Sequence, residues 1–320
     1  MLLDSLFTRR VIFLTGKGGV GKSVVGAALA LAARERGKRV LLVEVAAPVE
    51  AARLLGGPPG GASGGRETEA RPGLFTVNLD PASVMEEYVR HVVKLDLLAR
   101  RVLASPIYHR FLAAAPGLRE LMVLGKIMVL AEARARFSHR PVFDLIVVDA
   151  PATGHGLAFL KVPLAASSAI PVGPVGHNAR RVLDLVRDSA RTALVVVAVP
   201  EEMAVVEAVQ FYRLAVDELG VEPAAVVLNS CHERRFTDED EAEVLRLTAE
   251  GAEGEVVPGV RLSAALRAAR RQIRRRKLTG FYERRLRRSL AAPLVSLPFL
   301  FREALGVPDL RRLAERLEAV

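Results

Sequence analysis

Glycines, two lysines and a serine come together at residues 16–23 in a spacing that suits phosphate chemistry. The stretch reads Gly-Lys-Gly-Gly-Val-Gly-Lys-Ser and matches the pattern G-x-x-x-x-G-K-[ST]. In such a loop, successive backbone N–H groups and the positive end of the following helix surround phosphate oxygens. Lys22 would reach the β- and γ-phosphates, and the hydroxyl of Ser23 would bind Mg²⁺. The spacing therefore predicts a site for a nucleoside triphosphate with magnesium.

Asp149 is the candidate acid that would complete this site. It follows residues 142–148, a continuous apolar stretch that reads as a buried parallel strand. An acid at the carboxyl end of such a strand can hold the water shell of magnesium, as a Walker B acid does. The loop at 150–157 contains Thr153, Gly154 and His155, and we expect it to detect the γ-phosphate and to move when that phosphate leaves.

The same glycines also allow a dinucleotide site. Gly16, Gly18 and Gly21 form the pattern G-x-G-x-x-G, and Glu44 ends the next apolar stretch about where a ribose-binding acid is expected. A dinucleotide does not need a lysine and a serine directly after the last glycine, whereas a triphosphate with magnesium does. The spacing favours the triphosphate site and leaves an NAD-dependent oxidoreductase as a distant alternative.

The elements that must position these residues alternate between strands and helices. Residues 11–14 are predicted as a buried strand directly before the loop, and the alanine-rich residues 24–34 as a helix directly after it. Further strands are predicted at 40–45, 74–79, 193–199 and 224–228, and residues 294–300 are predicted as a short final strand or loop. Further helices are predicted at 81–103, 118–137, 180–189, 202–219, 260–290 and 310–318. This order predicts an α/β fold over 1–320, a doubly wound, mostly parallel sheet of the P-loop NTPase type, with 81–140 inserted as a helical subdomain.

Composition excludes several other classes of protein. With 320 residues, 51% of them hydrophobic, the chain can bury a sizeable core. No apolar run approaches the ~18 residues that span a bilayer, and residues 1–10 carry Asp4 and lack a signal-peptide pattern. We therefore expect a cytoplasmic protein without stable membrane insertion. The single cysteine, Cys231, excludes an internal disulfide and a multi-cysteine metal site within one chain.

Three further stretches are less specific. Two of them allow more than one interpretation, and the third predicts only a surface loop. The net charge is +10, and much of the excess lies at 267–288, which is either a solvated basic helix face or a contact for an acidic partner, phospholipid or nucleic acid. Only two aromatic residues lie there, which disfavours nucleic acid. The apolar positions of the helical insertion either form core or line a groove for a hydrophobic helix, and the methionines among them are Met85, Met122 and Met128. Residues 56–65, rich in glycine and proline, predict a surface loop.

The loop at 16–23 and the segment Asp149-Ala150-Pro151-Ala152-Thr153-Gly154-His155 together resemble the arsenite-pump ATPase family (ArsA). That family also contains the eukaryotic ATPase that targets tail-anchored membrane proteins. Lys17, directly after the first glycine, resembles the extra lysine of the deviant Walker A class, which the division and partition ATPases MinD and ParA share. The Thr153–His155 loop, the helical insertion and Asn229 resemble the ArsA branch of that class, and the resemblance covers nearly the whole chain.

The resemblance implies a magnesium-dependent ATP site in a dimer. Lys22 already serves the phosphates of its own subunit, where Lys17 has no evident partner, so Lys17 would cross to the nucleotide of the partner subunit. The amide of Asn229, at a predicted strand end, would pair with a base edge, adenine being the candidate. The expected nucleotide-binding residues are Gly16, Lys17, Gly18, Gly19, Val20, Gly21, Lys22, Ser23, Val24, Asn229 and Pro298. The expected catalytic residues are Lys17, Lys22, Asp149 and Glu44, and the expected metal ligands are Ser23 and Asp149.

Two departures from the family pattern affect the expected activity. Counting without gaps from the loop lysine places the family's switch aspartates at Ala46 and Arg53, neither of which is an acid. Glu44 or Glu50 is the candidate substitute, and we expect slow hydrolysis. Cys231 alone can form neither the thiol site of arsenite pumps nor the Cys-x-x-Cys zinc site that bridges many targeting dimers.

The expected function is ATP hydrolysis by a homodimer, or by a heterodimer with a paralogue, that opens and closes with its nucleotide. Targeting or handling of hydrophobic membrane-protein helices is the first expectation for the use of that motion, and coupling to a membrane transporter is the second. The alternative is a weakly hydrolysing nucleotide-binding subunit of a heterodimer, which the missing switch aspartates motivate.

Overall fold

An eight-stranded sheet organises the part of the chain that the computed structural model describes, namely residues 2–45, 50–57, 65–108, 110, 117–135, 139–151, 156–170 and 172–318. Its strands are β1 Val11–Thr15, β2 Val40–Val45, β3 Thr68–Arg71, β4 Leu74–Leu79, β5 Leu145–Asp149, β6 Thr192–Ala198 and β7 Ala225–Cys231, joined by β10 Leu294–Pro298. The order across the sheet is β10-β7-β6-β1-β5-β2-β4-β3. Every neighbouring pair is parallel except β3 with β4. The prediction of a mostly parallel, doubly wound sheet is confirmed.

Helices cover both faces of this sheet. They are α1 Leu2–Phe7, α2 Lys22–Glu35, α3 Ala51–Leu54, α4 Pro81–Val93, α5 Asp96–Leu103, α6 Leu118–Glu132, α7 Gly156–Ala169, α8 Gly173–Arg187, α9 Glu202–Leu214, α10 Asp238–Ala249, α11 Leu262–Ser289 and α12 Val307–Glu318. A π-helical turn, Ala215–Leu219, extends α9, and a small hairpin of β8 Glu255–Val257 and β9 Val260–Arg261 precedes α11. Among the described helices, none has the length and apolar character to cross a bilayer.

The central position of β1 in the sheet explains why the sequence of this strand is continuously apolar. Val11 and Phe13 belong to one buried cluster, whereas Ile12 and Leu14 belong to another on the opposite face. Successive side chains of a strand point to opposite faces, so a strand covered on both sides needs apolar residues at every position. Close packing against α2 also requires Gly26, because a Cβ there would lie 2.7 Å from a methyl group of Leu14.

The helix predicted over 81–103 is interrupted, and that prediction is wrong in its length. Its start is confirmed, because Asp80 accepts a hydrogen bond from the backbone N of Ser83 at 2.9 Å and proline occupies the first turn. The helix α4 ends at Val93 because Lys94 takes a left-handed conformation with φ +56°, and α5 begins at Asp96. No proline or glycine marks this break in the sequence.

Two predicted boundaries near the site strand β5 are also wrong. The helix predicted to reach residue 137 ends at Glu132, because the chain becomes extended at Ala133 and Arg134 forms a bridge with Pro141. The strand predicted at 142–148 begins only at Leu145. Before it, the carboxylate of Asp144 accepts a hydrogen bond from the backbone N of Arg39, which anchors the residues that precede the strand.

Further differences concern the second half of the chain. The helix predicted from 180 begins at Gly173, where Pro174 supplies a first-turn signal. The strand predicted to end at residue 228 continues to Cys231, so Asn229 lies within β7. Helices α1, α3, α7 and α10 and strands β3, β8 and β9 were not predicted. Of the range predicted as an inserted subdomain, α6 contributes buried residues to the cluster that contains Phe13, including Met122 and Met128, so these methionines are core.

Candidate functional site

The phosphate loop lies between β1 and α2 at the centre of the sheet edge. Gly16 has φ +149°, and a Cβ there would lie 2.1 Å from the carbonyl oxygen of Val197 on β6. Gly21 has φ +89°, and a Cβ there would lie 2.3 Å from Nδ2 of Asn229 on β7. Both positions therefore require glycine, for backbone conformation and for space. The loop is held close against the ends of two neighbouring strands.

Lys22 folds back over this loop. Its Nζ donates hydrogen bonds to the carbonyl oxygens of Gly16 and Lys17, each at 3.1 Å, and only 6% of the residue is exposed. Burial lowers the pKa of Lys22, and the nearby charge of Asp149 opposes that shift. The ammonium group is thus held on the loop, where a bound phosphate would meet it.

Ser23 and Asp149 meet beside the loop. The Ser23 Oγ donates to Oδ2 of Asp149 at 2.5 Å, while Oδ1 of the same carboxylate is buried without a hydrogen-bond partner among the described residues. Burial raises the pKa of Asp149, against the lowering effects of the Ser23 hydrogen bond and the Lys22 charge. Hydroxyl and carboxylate oxygens are ligands that Mg²⁺ prefers, and a buried carboxylate oxygen without a partner is costly unless a ligand satisfies it. These residues fit a magnesium site.

Glu44 lies next to Asp149 but is enclosed. The two residues are paired in register between β2 and β5, and Glu44 is fully buried. Its Oε1 accepts hydrogen bonds from the backbone N atoms of Glu50 and Ala51, both at 2.9 Å, at the start of α3. Burial is the main cause that raises the pKa of Glu44, and these two hydrogen bonds oppose it. One carboxylate oxygen therefore supports α3, whereas Oε2 has no partner among the described residues.

Of the two positions where switch aspartates are expected, only Arg53 is among the described residues. Ala46 lies outside the described residues. Arg53 pairs with the carboxylate of Glu50 at 2.6 Å, and both side chains are about half exposed. Glu50 is therefore near the site but engaged with its own helix neighbour.

Lys17 has a partner within its own chain, which corrects the expectation that it has none. Its Nζ lies 3.1 Å from Oε1 of Glu207 on α9, and the two side chains are 39% and 31% exposed. An ion pair with this much exposure is weak, on the order of 0–1 kcal/mol. The pair holds Lys17 in place without committing much free energy to that position.

Asn229 acts on the loop from the opposite side. Its Nδ2 donates to the carbonyl oxygen of Val20 at 3.0 Å, and the residue is buried. The expected contact between this amide and a base stays a prediction, and the hydrogen bond to Val20 adds a role in holding the loop.

A cavity of about 430 Å³ opens beside the loop at the ends of β6, β7 and β10. His232 and Phe299 line it, with their rings stacked 5.0 Å apart at an interplanar angle of 15°. Burial lowers the pKa of His232, and Arg275 and Arg235 lower it further, which favours the neutral ring. Neither residue was among the predicted site residues, although Phe299 directly follows Pro298, the last residue of β10.

The structure brings together the loop, Asp149, Glu44 and Asn229, but it leaves other predicted residues outside. Thr153, Gly154 and His155 lie outside the described residues, as do 58–64 of the predicted surface loop. Cys231 is a buried free thiol, and burial raises its pKa to about 12. Within the described ranges, no group of three or more His, Cys, Asp or Glu side chains is arranged to hold a metal ion by itself.

Several known proteins are similar to this chain. The family model described as anion-transporting ATPase matches residues 9–171. The ATPase BagA of Mycobacterium tuberculosis is 33% identical over 250 residues, which cover 77% of this chain and 70% of the relative. An arsenical pump-driving ATPase of Acidiphilium multivorum is 27% identical over 234 residues, 68% of this chain and 39% of the pump protein. One from Escherichia coli is 28% identical over 169 residues, 52% of this chain and 28% of the relative.

Proposed function

The chain belongs to the ArsA family of anion-transporting ATPases and hydrolyses ATP, and from that premise we propose that it does so with magnesium as one half of a nucleotide-gated dimer. In this proposal ATP binds at 16–23, and Ser23 and Asp149 hold the metal. The observation that carries it is the hydrogen bond between Ser23 and the buried carboxylate of Asp149, which has one oxygen without a partner among the described residues, directly beside a loop that requires its glycines.

The residues of this chain divide the work in a simple way. Lys22 exchanges its hydrogen bonds to the loop carbonyls for the β- and γ-phosphates, and its charge stabilises the transferred phosphoryl group. Magnesium, when bound, neutralises charge on the phosphate oxygens. Asp149 fixes the orientation of Ser23 through their hydrogen bond, and the buried surroundings keep bulk water away from these charges. The base of the nucleotide enters the cavity lined by His232 and Phe299 and stacks on this pair of rings.

The test removes the lysine of the loop. Lys22→Ala should abolish turnover and weaken ATP binding, because the phosphates lose their nearest cation. Binding is measured by titration of a fluorescent ATP analogue with and without magnesium, and Arg34→Ala, a change on the same helix away from the loop, is the matched control. Wild-type turnover in Lys22→Ala would remove the proposed phosphate site.

The dimer rests on Lys17, which we assign to the nucleotide of the partner subunit. Its ion pair with Glu207 is weak enough to exchange for a phosphate when two subunits close. Lys17→Ala should then bind ATP but lose closure and turnover together. Mixing Lys17→Ala with Lys22→Ala should restore part of the turnover, because one hybrid site receives both lysines from intact copies. Mixed dimers that form but stay inactive would show that Lys17 acts only within its own chain.

Slow hydrolysis is part of the proposal. Arg53 is engaged with Glu50, and the nearest other acid, Glu44, is buried and supports α3. Turnover should therefore be lower than in relatives that carry both switch aspartates, as measured by single-turnover phosphate release. Glu44→Gln and Glu50→Gln identify a substitute acid if one of them lowers the rate further. A fast rate that neither change affects would contradict this part.

The exposed surface favours a role for the nucleotide-driven motion in binding a hydrophobic client. Coupling to a membrane transporter is the second candidate. Apolar side chains are exposed from the end of α4 through α5 to residue 107, with Leu97 71% and Ile107 77% exposed. An exposed apolar surface of this kind is typical of sites that bind apolar segments. The test is photo-crosslinking to a synthetic transmembrane helix: Leu97→Ser with Ile107→Ser should reduce capture, whereas Met203→Ser, which removes an exposed apolar side chain elsewhere, should not. Equal capture by all three proteins would refute the client site.

A further inference from the structure

A second concave surface lies on the far side of the molecule's basic helix. A groove of about 700 Å³ runs between α10 and α11, and its apolar lining includes Leu245, Leu278 and Phe281. Leu245 and Phe281 are 51% and 52% exposed, although both are large apolar side chains. A patch of this kind on a soluble domain usually marks a binding surface rather than a packing defect.

The basic side of this groove is formed by arginines on one face of α11. They stand at helical positions i, i+3, i+4 and i+7, and they are Arg267, Arg270, Arg271 and Arg274. Among the described residues none of these guanidinium groups forms an ion pair or hydrogen bond. Other cations on the same helix do find acids: Lys277 pairs with Glu241 at 2.7 Å and Arg287 with Glu283 at 3.0 Å. The groove therefore concentrates unpaired positive charge beside apolar surface.

We propose that this groove binds an acidic amphipathic helix of a partner protein. Such a helix presents an apolar stripe to the groove and carboxylates to the arginines, whose planar guanidinium groups donate paired hydrogen bonds to carboxylate oxygens. The concave shape favours a helix over a membrane surface, because one row of side chains can enter a groove that a flat layer of headgroups would only cover. The groove contains no residue of the phosphate loop, although it shares Leu278 with the cavity beside that loop, and its proposed role goes beyond ATP hydrolysis.

The test uses a designed peptide as its probe. A fluorescein-labelled peptide of about 18 residues, roughly five helical turns, carries leucines at i, i+3, i+4 and i+7 with glutamates on both sides. Fluorescence anisotropy at about 0.1 M salt should detect saturable binding by the full chain. Arg270→Glu with Arg274→Glu should weaken binding by about tenfold or more, because two facing charge pairs become repulsive.

Matched controls separate this groove from general attraction to a basic protein. Arg284→Glu with Arg288→Glu makes the same change in net charge at exposed positions of α11 outside the groove lining and should leave binding within about twofold. Phe281→Ala should weaken binding several-fold without a change in charge. Unchanged ATP turnover in the Arg270→Glu, Arg274→Glu protein shows that it is folded.

Three outcomes would overturn the proposal. A peptide of the same composition with scrambled spacing could bind equally well, which would show attraction by charge alone. The two charge-reversal pairs could weaken binding equally, with the same meaning. Vesicles of phosphatidylglycerol and phosphatidylcholine could instead bind in a manner that Arg270→Glu with Arg274→Glu abolishes while the peptide does not bind, which would assign the groove to a lipid surface.

Discussion

The two flanks of the phosphate loop are built on opposite principles. Toward β5 and β2, buried carboxylates lie side by side, and Asp149 and Glu44 each keep one oxygen without a partner among the described residues. Toward β7 and β10, the Nδ2 of Asn229 donates a hydrogen bond to the loop, and the rings of His232 and Phe299 stack on each other. Burial of carboxylate oxygens without partners destabilises the folded state, and the first flank therefore suits charge chemistry. On the second flank the amide nitrogen of Asn229 has a hydrogen-bond partner, and this flank suits binding.

Because of this difference, changes on the two flanks should affect different kinetic constants. A change on the β5 side removes groups whose charges count most when phosphoryl charge develops, so it should lower kcat. A change on the β7 side removes contacts that are equally strong before and during the reaction, so it should raise KM.

Among the changes that compare the two flanks, Asp149→Asn should give the largest effect. Turnover should fall by on the order of 10²-fold, as when one charge-stabilising group leaves a preorganised site, while the affinity for ATP without magnesium stays close to that of the wild type. Steady-state kinetics with magnesium titration measures both quantities. If KM rises and kcat does not fall, the assignment of the β5 flank to chemistry is wrong.

Phe299→Ala should act in the opposite way. Loss of the stacked ring should weaken nucleotide affinity by up to about tenfold, the range for one aromatic contact, and leave kcat nearly unchanged. Calorimetric titration with ATP gives the affinity, and inorganic triphosphate, which has no base, is the matched control ligand because its affinity should not change. A weaker affinity for both ligands would place Phe299 in loop support rather than in base binding.

Glu207→Gln should have a smaller effect, and this variant tests the role of Lys17. Removing the partner frees Lys17, so ATP-driven dimer formation should improve by a few-fold, in line with an exposed ion pair of 0–1 kcal/mol. Analytical ultracentrifugation with a non-hydrolysable ATP analogue measures this. Glu202→Gln, on the same helix, is the control. Weaker dimer formation in Glu207→Gln would mean that Glu207 helps closure instead of restraining it.

Asp149→Asn should also change stability in a pH-dependent way. Burial raises the pKa of Asp149 in the native state, so the native protein takes up a proton before the unfolded chain does and the cost of the buried charge disappears as pH falls through that raised pKa. At neutral pH and above, the nucleotide-free variant should melt about 2–4 °C higher than the wild type, and the advantage should shrink as the pH is lowered. Asp184→Asn, at an exposed position on α8, should show no such trend. A constant advantage at all pH values would contradict the electrostatic cause.

Cys231→Ser should have the smallest effect. A buried thiol whose pKa is raised to about 12 carries almost no thiolate at neutral pH and is a poor metalloid ligand. Turnover should be the same in both proteins, and arsenite should stimulate neither. Activation by arsenite that the serine variant loses would overturn this expectation.

The sequence predicts the sheet and the β5 flank well because both depend on local patterns. Continuous apolar stretches predicted the inner strands, and parallel strands must bring their carboxyl ends together, so Asp149 had to lie near the loop. The pair of Lys17 with Glu207 could not be predicted, because it joins residues far apart in the chain with no shared motif. Phe299 carries no motif either, and the break at Lys94 occurs in a stretch without proline or glycine, where only packing decides.

The length of α11 gives the molecule a mechanical property. Leu278 lines the cavity beside the phosphate loop on one side and the basic groove on the other. The helix is continuous over 28 residues, about 42 Å at 1.5 Å per residue, and a continuous helix is stiff on that scale. If a nucleotide displaced α11 at the cavity wall, the groove would move with it, because both surfaces share Leu278 on one continuous helix.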